Sequence, residues 1–411
     1  MSIHTTLQQR ADFYLLLLYI AVCATIVLRV SVEVTGYMSP DSDYYLEAAS
    51  SLKNGHGVYI RDLYAPQGPF TPNKRIPFTA WPIGYPFLIF VVSELTPLDI
   101  FWAGKTVNLL FIGLAFLLIR HIQREHSYII ASIFGAFTIL EVSSYTWSES
   151  IFMIGLLYLC YIFTNIYVDK NRSFSMLKIL LASIFIFLIR YIGIIAAGAI
   201  FLAFVYYFWY NKDSKTSKHF LYVLLTLSLF ISLYLCTNYY IAGYNTDVQR
   251  LTKEMESFPE VVWMALKGLA GELFLLRRYY FNGFPDWLTI AAASFQLILF
   301  YMIYSSLRKQ RGIWQEFQKN IFSHMCLLMA GLYLLLLISL RSISQFDPIN
   351  YRLLSPFTFL MLTGVIHYIV ALPDHHTDIK KAKHLILALF LISLIINLPK
   401  EYILGKFINL M

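Results

Sequence analysis

Charge is what this sequence has least of. Asp, Glu, Lys and Arg make up 14% of its 411 residues, against 58% apolar side chains. A soluble domain needs roughly a quarter of its residues charged to solvate its surface, so a soluble enzyme is excluded and a polytopic membrane protein remains. Cysteine is also scarce. Cys23, Cys160, Cys236 and Cys326 each fall within an apolar run and read as packing residues, which excludes a disulfide framework. The ten histidines show no metal-ligand spacing; His375 and His376 are adjacent in a basic loop and read as solvated. A cleavable leader is missing too: no small-residue cleavage site follows the first apolar run, so Phe13 to Val30 is expected to stay as a span.

What is present is a series of apolar runs. Their lengths predict an all-α protein of about eleven transmembrane helices, near 12–33, 98–120, 128–146, 149–168, 177–190, 191–209, 219–241, 286–307, 321–341, 355–372 and 383–399. Residues 1–411 read as a single transmembrane domain with two larger loops, 34–97 and 242–285. The run 83–95 is too short to span and is expected to lie at the membrane surface, as is a helix near 258–278. If the N-terminus is cytoplasmic, the inner segments carry net +9 and the rest of the chain net −1. The positive-inside rule then orients the chain and explains its net charge of +8 through topology and anionic lipid, not nucleic acid. Both larger loops fall on the outer side, as do Glu141 to Glu149 and Arg341 to Ser355. Any chemistry therefore belongs at the outer membrane–water boundary.

The most informative stretch is 37–95. Ser39 is a helix cap, Pro40 suits the first helical position, and Asp41 and Asp43 lie in the first turn. Tyr45 shares a face with Asp41. Lys74 and Arg75 follow, then Trp81-Pro82-Ile83-Gly84-Tyr85-Pro86. Seven prolines from Pro40 to Pro86 argue for fixed turns throughout this loop. On local features alone, Asp41 and Asp43 could simply serve the cap.

The acidic pair after the first span, the Tyr four residues on and the Trp-Pro-x-Gly-Tyr-Pro run together resemble the GT-C superfamily. These are polytopic glycosyltransferases that use lipid-phosphate-linked sugars, among them protein mannosyltransferases and lipid A aminoarabinose transferases. The resemblance covers roughly residues 10–200 by motif and the rest by architecture. It implies a GT-C-like fold in a bacterial inner membrane, a polyprenyl-phosphate sugar donor, and a glycan, lipid or protein acceptor. It also implies an active-site role for Glu149, in Trp147-Ser148-Glu149-Ser150, and for an Arg ahead of a late span, here Arg352.

Arg190 interrupts one long apolar run, which places a guanidinium inside the bundle at the outer boundary, where a phosphate or carboxylate suits its fork of donors; snorkelling to the headgroups is the plain alternative. In the reaction these residues fit, Asp41 is the base for the acceptor hydroxyl, and Arg190 and Arg352 take the departing phosphate. Asp43 or Glu149 stabilises the oxocarbenium-like centre, and single displacement inverts it. Tyr45, Lys74, Arg75, Trp81 and Tyr85 are substrate-binding candidates. No cofactor is expected; were a divalent metal used, Asp43 and Glu149 would be its ligands. Glu141 is expected to face the lipid headgroups. Two other classes fit the composition: a lipid-linked substrate transporter or flippase, and a polysaccharide polymerase or ligase.

Overall fold

A computed structural model describes residues 3–61, 75–168, 172–243, 245–246, 256–277, 287–308, 313–344, 346–374 and 377–399. The chain runs α1 (Ile3–Val32), α2 (Pro40–Lys53), β1 (Tyr59–Arg61), β2 (Arg75–Pro77), α3 (Gly84–Leu95), α4 (Ile100–Ile122), α5 (Ser127–Ala131), α6 (Phe137–Ser144) and α7 (Glu149–Val168). It continues through α8 (Arg172–Ile189), α9 (Ile195–Val205), α10 (Ser214–Ala242), α11 (Phe258–Glu272), α12 (Trp287–Arg308), α13 (Ile313–Lys319), α14 (Ile321–Ile343), α15 (Tyr351–Ala371) and α16 (Thr377–Ile396). Among the described residues, eight helices are long and apolar enough to cross a membrane. This is an all-α, polytopic integral membrane protein; β1 and β2 form one short antiparallel hairpin.

Each of the eleven expected spans is helical, with one correction. The segment 128–146 is not a continuous helix. A 3₁₀ turn, Ser132–Gly135, separates α5 from α6, and the two halves meet at 66°. Gly135 sits at the break because a Cβ there would lie 2.6 Å from the Phe390 carbonyl oxygen of α16. The apolar part of α8 is short for an ordinary span, and the three lysines at the start of α16 make that helix too polar for one.

The centre of the bundle is α7 and α15, packed against each other and against α14. Their starts lie at the same end, here termed the site end, and both are capped or charged there. Asn350 caps α15 by accepting from the Arg352 and Leu353 amides at 3.0 and 3.3 Å. Helices α2 and α3 pack at that end against α4, as expected for a membrane-surface element. Gly84 lets α3 abut α8, since a Cβ would meet the Leu188 carbonyl oxygen at 2.5 Å. The surface helix expected near 258–278 is α11, closed at its start by a reciprocal capping box between Ser257 and Glu260. The proline-rich part of the first loop, from 62 to 74, lies outside the described residues.

Candidate active site

Four separate stretches of sequence deliver the site. The first is the start of α2. Ser39 caps it, its hydroxyl accepting from the Ser42 amide at 3.3 Å, and Asp41 follows in the first turn. The turn that brings the chain there is unusual. Tyr37 adopts a φ of 55°, in the left-handed region that side chains disfavour. Two buried cations hold it: Lys105 donates to the Tyr37 carbonyl at 2.9 Å, and Arg29 donates to the Tyr37 hydroxyl at 2.7 and 3.0 Å.

The second stretch joins α6 to α7. Lys105 also donates to the Ser144 carbonyl at 2.9 Å, so one ammonium pins both stretches. Trp147 Nε1 donates to Ser39 Oγ at 2.7 Å and fastens this linker to the cap of α2. Tyr145 stacks on Trp147 with ring centroids 3.9 Å apart. Glu149 then opens α7. The third stretch supplies Arg190, between α8 and the 3₁₀ turn Tyr191–Ile194, and the fourth supplies Arg352 in the first turn of α15.

Here the charges meet. Glu149 Oε1 accepts from Arg190 Nη1 and from Arg352 Nε, each at 2.6 Å. Arg352 Nη2 donates to Asp41. The Arg352 guanidinium also lies 4.2 Å over the Trp147 ring, and its Nη1 is 3.6 Å from Asp347. Arg352 is therefore the hub that joins Asp41 to Glu149. Arg190 additionally donates to Ser148 Oγ at 3.1 Å, and Ser148 is 3.1 Å from the Tyr45 hydroxyl. Glu149 is buried at 1% exposure, and its second oxygen has no partner. Such a cluster stands only because the charges neutralise one another; removing one member strands the rest in a low-dielectric interior.

A cavity of about 700 Å³ opens over this cluster, lined by Asp41, Trp81, Arg190, Tyr191, Tyr333 and Arg352 among others. Asp41, Arg190, Arg352 and Trp81 thus reach one cavity, and Glu149 lies directly behind the two arginines. The other candidates lie elsewhere. Tyr45 and Tyr85 have no exposed surface; Tyr45 acts on the site through Ser148, and Tyr85 bonds Asn108 at 3.2 Å within the core. Asp43 and Arg75 line a different cavity, because positions two apart on a helix point to opposite sides and Asp43 turns away from Asp41. Burial pushes the Asp43 carboxyl up from its ordinary value, with Arg61 opposing and Glu47 adding to the shift. Asp43 and Glu149 do not share a cavity, so that pair is not assembled to hold a metal. Lys74 lies outside the described residues. Glu141 does not face lipid headgroups: it is buried and ion-paired with Arg29.

Sequence reasoning missed Lys105, Arg29 and the capping role of Trp147. The signal for the first two was a cation inside an apolar run, which in a membrane protein always asks for a partner.

No protein-family model matches the chain, and no curated protein matches it. Among solved structures, the chain is similar to the crystal structure of ArnT from Cupriavidus metallidurans in the apo state, at 15% identity and a TM-score of 0.49. The likeness covers 87% of this chain and 60% of that one, so the chain spans about three-fifths of the length of the protein it resembles.

Proposed function

We propose that this chain is a membrane glycosyltransferase of the GT-C type, moving a sugar from a polyprenyl-phosphate donor to an acceptor hydroxyl at the outer membrane face. The observation that carries the reading is the Arg352 hub: a guanidinium lining a cavity, held between Asp41 and Glu149, with Arg190 beside it. Two arginines on one cavity suit the planar, multidentate recognition of a phosphate. Glu149 holds both in place. Asp41 occupies a donor of Arg352 that a phosphate oxygen would take. Arrival of the donor lipid displaces Asp41 from Arg352 and leaves the carboxylate free for the acceptor hydroxyl.

In the reaction, the acceptor oxygen attacks the anomeric carbon as its proton passes to Asp41. The bond from that carbon to the phosphate oxygen breaks, and the electron pair leaves on the polyprenyl phosphate, stabilised by Arg190 and Arg352. The attack comes from the face opposite the leaving phosphate, so the anomeric centre inverts. A transporter reading is less well served. It calls for ionisable groups near the midplane, whereas α7, α14 and α15 carry no Asp, Glu, Lys or Arg from 150–168, 321–340 or 353–371.

The test is incubation of the full chain in lipid nanodiscs with a panel of polyprenyl-phosphate sugars, reading release of polyprenyl phosphate. Release by the wild type that is lost in Arg352→Gln and Asp41→Asn is expected. No release from any donor sinks the reading.

A further inference from the structure

We infer that a second cavity, on the other side of α2, is a binding site for an uncharged carbohydrate, and, on the transferase reading above, that this carbohydrate is the acceptor. The cavity has a volume of about 640 Å³, close to that of the Asp41 cavity. The two meet at the start of α2, where Pro40 lines one and Asp41 the other. Further along, the wall between them is one aromatic pair thick. Tyr44 faces the second cavity, Trp81 faces the first, and their ring centroids are 5.3 Å apart. A ligand in the second cavity that reaches past Pro40 therefore arrives at the carboxylate proposed as base.

The walls specify the ligand's chemistry. Asp43 and Glu47 come from α2, Arg61 and Arg75 from the hairpin. Arg61 and Arg75 are directly paired in the antiparallel register, so both side chains stand on one face, an arrangement that is unfavourable for like charges unless something compensates. Glu47 compensates only Arg61, accepting from its Nε at 3.0 Å. Among the described residues, the side chains of Arg75 and Asp43 form no hydrogen bond or ion pair, although Arg61 acts on the Asp43 carboxylate electrostatically. Ser51 also lines the cavity; it is 7% exposed and its hydroxyl is unpartnered. A buried hydroxyl without a partner is costly, which points to a ligand that completes it. The four charges sum to zero, so the cavity draws neither anions nor cations. What it offers, among the described residues, is a carboxylate that accepts, a guanidinium that donates, an unused hydroxyl and a tyrosine face. Vicinal hydroxyls on a sugar ring match that set; a phosphate or an amine alone does not.

The test uses the full chain in nanodiscs and saturation-transfer NMR with four probes: maltotriose and N,N′-diacetylchitobiose as neutral ligands, glucose 1-phosphate as an anion and glucosamine as a cation. At least one neutral oligosaccharide is expected to bind the wild type. It should bind at least ten-fold more weakly to the Asp43→Ala/Arg75→Ala double variant, which breaks no side-chain hydrogen bond or ion pair among the described residues, and measurably more weakly to Ser51→Ala. The inference is overturned if neither neutral probe binds, if a charged probe binds in preference, or if the double variant binds unchanged. Oligosaccharide binding without any release of polyprenyl phosphate would instead break the transferase reading and leave this site standing.

Discussion

Two kinds of helix build this bundle. In α7 and α15, 72% of the residues of the apolar stretch are buried; in α10 and α12 the figure is 22%. All are apolar, yet the buried pair starts in buried, paired charge, with Glu149 on one and Arg352 on the other, whereas Lys215 and Lys218 at the start of α10 are exposed. The difference follows from the solvent. Lipid tails solvate Leu and Phe as well as another helix does, so α10 and α12 need nothing inside them. A charge survives at membrane depth only where protein surrounds it and a counter-charge meets it. Glu149→Ala tests the contrast at its sharpest. It leaves Arg190 and Arg352 buried without their shared partner. Breaking a buried pair costs about 3–5 kcal/mol, and the thermal unfolding midpoint of the purified protein should fall accordingly. An unchanged midpoint would mean that the cluster is solvated and the contrast unreal.

The next effect is on rate. Asp41 sits at the cluster's edge, and Asn in its place keeps the first-turn geometry and a side-chain oxygen while removing charge and basicity. Loss of a general base costs about 10²–10⁴ in turnover, with folding retained. Asp43→Asn, on the same helix but facing the other cavity, should keep the chemical step. If Asp43→Asn is the dead variant, the base has been assigned to the wrong carboxylate.

A purely apolar change in the buried pair comes third. Leu354 has no exposed surface and lies two residues beyond Arg352 in α15. Leu354→Ala opens a void that lipid cannot fill and should cost about 2 kcal/mol or more, read from the same unfolding midpoint.

Much of this contrast was legible in the sequence. The eleven apolar runs set out the helices, and Ser39-Pro40-Asp41 announced the start of α2. Arg190 stood out because charge is so rare around it, whereas Asp41, Glu149 and Arg352 stood out through the motif resemblance. What the sequence withheld was pairing. Glu141 looks like a headgroup residue until Arg29, 112 positions earlier, is seen beside it. Tyr45 and Tyr85 read as substrate-binding candidates in the sequence, but neither has any exposed surface. Asp43 looks like a twin of Asp41, and the helical period alone should have sent it to another face. The break at Gly135 depends on the carbonyl of Phe390, which no local rule contains.

The opposite end of the bundle offers a gentler probe. His126 Nε2 lies 3.0 Å from Asp374, and Lys383 Nζ is 2.6 Å from the same carboxylate. Burial lowers the His126 pKa below 6.5; Lys383 adds to this and Asp374 opposes it. The unfolded chain therefore binds a proton more readily than the folded one between the depressed folded value and 6.5, and stability rises with pH through that window. Acidifying from pH 7 should destabilise the wild type progressively below about 6.5, the ordinary histidine pKa. His126→Gln should flatten that part of the profile. An identical slope in the variant would show that His126 does not titrate there.

The smallest effect is expected on the lipid-facing side, and it completes the comparison. Leu229 of α10 is 60% exposed in the protein alone, which in a bilayer means contact with acyl chains. Leu229→Ala removes the same atoms as Leu354→Ala. At Leu354 the neighbours are fixed side chains that relax only in part, so their lost contacts persist as a cavity. At Leu229 the neighbours are fluid chains that close over the gap, and no water enters in either state. The change in stability should therefore stay within about 0.5 kcal/mol, as for surface substitutions generally. The two variants, measured side by side in the same nanodiscs, differ only in which solvent surrounds the missing methyl groups. A Leu229→Ala loss as large as that of Leu354→Ala would mean that α10 is covered by protein, not by lipid, and would make its exposed face an interface.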